Sequence, residues 1–152
     1  MKTGGVARPF ILAFVLALVG YVLCYHAIEY RRTRKGPWEV GFTKNAGGEP
    51  TLIINQAMLG VTNVQIIFPG ETTSATNPAE VMVFNQPQPV PYNVPFGQCV
   101  FLDLTFLPGT VTFRLFGHEI ELLPRVLMLD HDERPWEPGS VRVLKPLPAG
   151  TK

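Results

Sequence analysis

Cysteine is scarce in this 152-residue chain: Cys24 and Cys99 are the only two, and they fall in segments of different character. A disulfide framework needs partners within one domain, so the fold must rest on its core. Charge is scarce as well, at 16% of residues against ~25% in an ordinary soluble domain. With 13 basic and 12 acidic side chains the net charge is +1, which excludes a supercharged or disordered chain. Gly-x-Ser-x-Gly, Walker A and GxGxxG patterns are absent, and no Asn-x-Ser/Thr glycan acceptor occurs. Proline and glycine, at 15 and 14, are plentiful, and proline is about twice its usual share, so long helices beyond the N-terminus are not expected.

One long uncharged run is present. Phe10 to Tyr25 gives sixteen residues without a charge, and His26, Ala27 and Ile28 extend it to nineteen before Glu29. As a helix this spans roughly 28 Å, close to the hydrocarbon thickness of a bilayer. Pro9 suits a first helical turn, and Tyr21, Tyr25 and Tyr30 place amphipathic rings near one interface, where His26 also falls. The expectation is a single transmembrane helix over 9–28, with Phe10, Leu16, Tyr21 and Tyr25 in the anchor, after a short basic tail over 1–8. A basic juxtamembrane linker over 29–36 follows, carrying Arg31, Arg32, Arg34 and Lys35, the flank that meets membrane lipid.

A cleaved signal peptide is the competing reading, with Lys2 and Arg8 as its positive start. Its cleavage chemistry is poor: a site ending at Ala27 puts Tyr25 where a small residue belongs, and Leu23 precedes Cys24 where a lipoprotein site needs Gly, Ala or Ser. Counting basic residues places the following domain in the cytoplasm. The layout of a short basic tail and one apolar segment is that of an exported signal anchor, and long domains translocate largely regardless of charge. A single-pass protein with an extracytoplasmic, periplasmic domain is expected, the cytoplasmic side staying open.

Residues 36–152 hold seven basic and eleven acidic residues, net −4, which gives no footprint for a nucleic-acid backbone. Short β-branched and aromatic runs alternate with Pro/Gly/Asn punctuation, so residues 37–152 are expected to form an all-β domain, a β-sandwich of jelly-roll or Ig-like type. The runs are 38–43, 51–56, 61–68, 81–84, 99–107, 110–116, 119–123, 126–130 and 141–144. Asn77-Pro78-Ala79-Glu80 is a helix-start signal for one or two turns, and the proline-rich stretch 86–95 reads as a stiff connector. A Gly117-His118 turn would set Leu115 against Ile120, Phe113 against Leu122 and Arg114 against Glu121. A tight Pro108-Gly109 turn would set Phe106 against Val111, Leu104 against Phe113, Leu102 against Leu115 and Asp103 against Arg114, although L-Pro-Gly matches hairpin twist poorly and a wider corner is the alternative. Together they predict a structural charge ladder Asp103, Arg114, Glu121.

Little of this is chemistry. Asp130, Asp132 and Glu133 offer oxygen ligands for a hard cation such as Ca²⁺ but lack EF-hand spacing, and a solvated acidic turn is the plainer reading. His118-Glu119 starts like a zincin motif, yet Leu122 stands where the second His is needed. A cupredoxin-like site from Cys99, His118, Met128 and His131 fails on loop spacing, and Cys99 reads as a small buried hydrophobe. No cofactor and no catalytic residue are expected. The expected function is a non-catalytic accessory or assembly subunit of a larger membrane or envelope complex, contacting a protein partner through Phe101, Phe116 and Leu123. The alternatives are a ligand- or Ca²⁺-binding module and a diverged hydrolase.

Overall fold

The computed structural model describes residues 4–73 and 79–148, and the chain divides into two compact units between Arg34 and Lys35. The expected helix signal at Asn77 and Pro78 lies outside the described residues.

The first unit is one helix, α1 (Gly4–Thr33), long and apolar enough to cross a membrane. It overruns the expected 9–28 span, so the tail is helical from Gly4 and the basic linker up to Thr33. Arg31 and Arg32 complement the carbonyl end of the helix, and a 2.8 Å ion pair from Arg32 to Glu29 bridges one turn. Pro9 stands inside the helix rather than at its first turn, leaving the Gly5 carbonyl without its i+4 donor. Apolar residues occupy every face, the pattern of a helix solvated by lipid.

The second unit contains β1 (Trp38–Lys44), β2 (Pro50–Gln56), β3 (Val61–Ile67), β4 (Glu80–Phe84), β5 (Tyr92–Val94), β6 (Gly97–Asp103), β7 (Thr110–Leu115), β8 (His118–Leu122), β9 (Leu127–Leu129), β10 (Asp132–Arg134) and β11 (Val141–Val143). They form two sheets, ordered β11-β3-β2-β1-β4 and β10-β9-β8-β7-β6-β5. The all-β, sandwich-like expectation therefore holds. Its finer form does not follow, because the first sheet closes one Greek key within itself and the second is a plain six-strand meander.

Alternation drives the inner faces together. Trp38, Val40 and Phe42 of β1, Leu52 and Ile54 of β2 and Phe84 of β4 are buried against Val111, Phe113 and Leu115 of β7 and Ile120 and Leu122 of β8. The Phe113 ring sits 5.4 Å from Phe84 and 6.1 Å from Phe42, edge to face, which joins the sheets at their centre. The Trp38 and Trp136 rings meet at 5.1 Å with their planes tilted by 36°, and each indole N–H is satisfied, by Gly109 O at 3.0 Å and Leu123 O at 2.9 Å.

The registers differ from expectation. The β7–β8 turn is Phe116-Gly117, both at positive φ as a type I′ turn requires, so Phe113 pairs Ile120 and Arg114 pairs Glu119. A two-residue slip keeps every side chain on its face, which is why the apolar sorting survives. Leu104 to Gly109 form no tight turn: β6 ends at Asp103, which faces Thr110, and a bulge at Val100 shifts the pairing beyond it. Gly109 lies at φ 73° so close under the Asp103 carbonyl that a Cβ would collide with it. Asp103 accordingly lies far along the strand from Arg114, and the three-residue ladder does not exist. Two strands lay in segments read as connections: β5 in the proline stretch and β10 in the acidic turn.

Candidate functional site

The two outer faces of the second unit differ in kind. Across the second sheet, register aligns Glu133, Met128, Glu121, Thr112 and Phe101 in one row, with Arg114 and Glu119 beside it. That face is charged, and an ion pair of 3.9 Å joins Arg114 to Glu119. Across the first sheet, register aligns Val81, Gly41, Ile53, Gln65 and Val141, with Val83 and the pair Ile67 and Val143 in the neighbouring rows. This face is mixed: valines stand at its two edges, and Glu39, Asn55 and Gln65 lie between them in the same rows. Val81 is 65% exposed, Val83 47%, Val141 53% and Val143 55%. Gly41 has no side chain in the middle of the row, so Ile53 and Val81 flank a shallow dip.

The expected contact residues do not make one patch. Phe101 is exposed, but alone at the end of the charged row. Phe116 turns inward from the tight turn and packs against Phe68 at 5.1 Å and Phe96 at 5.7 Å, so strand alternation had put it on the wrong side. Leu123 is half-buried at the β8–β9 turn, where its carbonyl accepts the Trp136 bond. Sequence reading missed the valines of β4 and β11 because both strands are short, and only their register shows that Val81 and Val141 share a face.

The expected cation ligands also part. Asp130 accepts from His118 Nδ1 at 2.6 Å and from the Glu119 amide at 2.9 Å, Asp132 lies 3.6 Å from Arg134, and Glu133 alternates to the other face of β10. The structure instead brings Glu119, Glu121 and His131 together, with ligand atoms within 4.8 Å of one another. Residues 119 and 121 share a face of β8, and His131 reaches them from the Asp130-His131 turn, whose two residues both have positive φ. The alternation Glu-x-Glu ahead of a hairpin was the signal available for this set. Two carboxylates and an imidazole suit a divalent ion, but Arg114 already faces one Glu119 oxygen and His131 the other, at 3.9 Å each.

His118 is buried, and both its ring nitrogens are engaged: Nδ1 with Asp130 and Nε2 with the Lys145 carbonyl at 3.1 Å. It ties β8 to the β9–β10 turn and to the segment after β11, and neither nitrogen is available as a catalytic base. Cys99 is buried in the core, and burial pushes its thiol pKa up, outweighing the hydrogen bonds to the Tyr92 side chain and the Phe101 backbone that pull it down. Burial, then Cys99, raises the Tyr92 phenol in turn. Both groups stay protonated and unreactive. A cleft of about 420 Å³ opens near the Lys44 end of β1, with Phe42, Met82, Val94 and Phe96 in its walls and Lys44 and Glu80 among its polar lining.

In the first unit, Tyr21 and Tyr25 stack at 6.5 Å one turn apart, and Arg31, Arg32, Arg34 and Lys35 follow at the other end of the helix from Phe10. No family model, curated protein or solved structure matches the chain.

Proposed function

We propose that this protein is a single-pass, membrane-anchored accessory or assembly subunit without catalysis of its own, which docks a protein partner through the outer face of its first sheet. The observation that carries this reading is the exposure of Val81 and Val83 at one edge of that face and of Val141 and Val143 at the other, with Ile53 and Gly41 between them. The engaged nitrogens of His118 and the buried thiol of Cys99 favour a scaffold over an enzyme. Helix α1 holds the domain at a bilayer, and the Arg31 to Lys35 block meets anionic headgroups. The domain lies on the extracytoplasmic side.

The test is extraction of tagged full-length protein in mild detergent. A fixed partner should copurify, and Val81→Asp or Val141→Asp should remove it while the domain stays folded, because these positions are exposed. Recovery of the same partner with both variants would overturn the choice of face, and a turnover lost on Glu119→Gln without unfolding would overturn the non-enzyme reading.

A further inference from the structure

Four strands form the sheet edges of the second unit, and three of them carry the usual protections against pairing with another chain. Strand β5 is three residues long between Pro91 and Pro95. Strand β10 is Asp132-Glu133-Arg134, charged throughout. Strand β11 is three residues with Arg142 at its centre, followed by Pro146 and Pro148. Strand β4 differs: it has five residues, an uncharged run from Val81 to Phe84, no proline, and an unbroken register with β1. Among the described residues its other side bonds to no strand.

We propose that β4 pairs with β4 of a second copy of this chain, antiparallel and centred on Met82, joining two five-stranded sheets into one. The proposal rests on the reading of the protein as a subunit of a membrane assembly and names the occupant of the β4 edge of its first sheet, beside the outer face. The sequence Val81-Met82-Val83 reads the same in both directions, so a two-fold axis through Met82 sets Val81 of each copy opposite Val83 of the other. Faces are kept: valines meet valines on the outer side, and Met82 meets its counterpart on the inner side. Charge is compatible, since Glu80 falls opposite Phe84 and the two Glu80 carboxylates lie at opposite ends of the pairing. The exposed Val81 and Val83 of each copy are then covered on their open side by the valines of the other. Five paired residues are a small contact for a complex in free solution, but copies held in one bilayer meet at high effective concentration. In the first unit, Ala13, Ala17, Gly20, Cys24 and Ala27 recur at four- and three-residue spacing, which permits a second helix to approach along the same seam.

Disulfide trapping in native membranes tests the pairing, using the full-length chain with Cys24→Ser and the buried Cys99 retained. Oxidation of Val81→Cys/Val83→Cys should yield a dimer of twice the chain mass, whereas Val141→Cys/Val143→Cys at the opposite edge should not. Adding Met82→Lys should cut the trapped fraction roughly tenfold or more, as an edge charge would. Equal trapping at both edges, or none at β4, overturns the proposal. If β4 yields only an adduct with a different protein, self-pairing fails while the accessory reading stands. If the homodimer forms and no other protein copurifies, self-pairing stands and the accessory reading fails.

Discussion

The Nδ1 of buried His118 lies 2.6 Å from Asp130 Oδ2, the shortest side-chain link between β8 and the β9–β10 turn, while the other Asp130 oxygen caps the Glu119 amide. Asp130→Ala strips the acceptor from both donors and should destabilise the domain by about 2–3 kcal/mol. Asp130→Asn keeps one acceptor oxygen and should cost less. Denaturant unfolding of the full-length chain in detergent checks the order, and equal costs would show that the pair contributes nothing specific.

Cys99 should resist a water-soluble maleimide in the folded protein and react once denaturant opens the core, because burial both shields the thiol and raises its pKa. Raising the pH to about 9 should speed labelling of a free thiol far more than that of Cys99. Rapid labelling of Cys99 at neutral pH would mean that the β5–β6 edge opens readily.

The Thr105 amide, then its hydroxyl, hold the exposed Asp103 carboxylate below its ordinary pKa of 3.8. A lowered folded-state pKa means that the unfolded chain binds more protons, so the stabilisation is present above the ordinary value and is lost as pH falls through the lowered one. Asp103→Asn should therefore lag wild type near pH 7, by no more than about 1 kcal/mol because the group is exposed, and the gap should narrow steadily as pH falls below the ordinary value and through the lowered one. Unfolding midpoints of both proteins followed from pH 7 downward decide this.

Most of the fold was legible because period-2 alternation needs only residue type: Trp38-x-Val40-x-Phe42 and Val111-x-Phe113-x-Leu115 announce buried faces on their own. Register was not, because it depends on which residues accept positive φ. Phe116 takes φ 50° beside Gly117, which no propensity argument favours for an aromatic residue, and this moved Arg114 from Glu121 to Glu119. Strand β5 was hidden by its flanking prolines, and β10 by charge that suits an edge as well as a turn. The row of Val81, Ile53 and Val141 was the least legible feature, since these residues lie far apart in sequence and are aligned only through four strand pairings.

If α1 is retained as the anchor, intact-mass measurement of the mature protein should give the full chain, apart from loss of Met1. A mass beginning near Ile28 would instead identify a cleaved signal. External protease should reach the second unit in spheroplasts if it is extracytoplasmic, and a domain left intact while an outer control is cleaved would reverse the assignment.

The central claim is that the outer face of the first sheet is covered by protein in the membrane. The direct measurement is photo-crosslinking in intact membranes, with a photoreactive residue at Ile53 in the middle of that face and, as control, at Glu121 on the charged face. Ile53 should give adducts of one or two discrete masses above the monomer, and Glu121 should give none. Discrete adducts at Glu121 with a bare monomer at Ile53 would contradict the account.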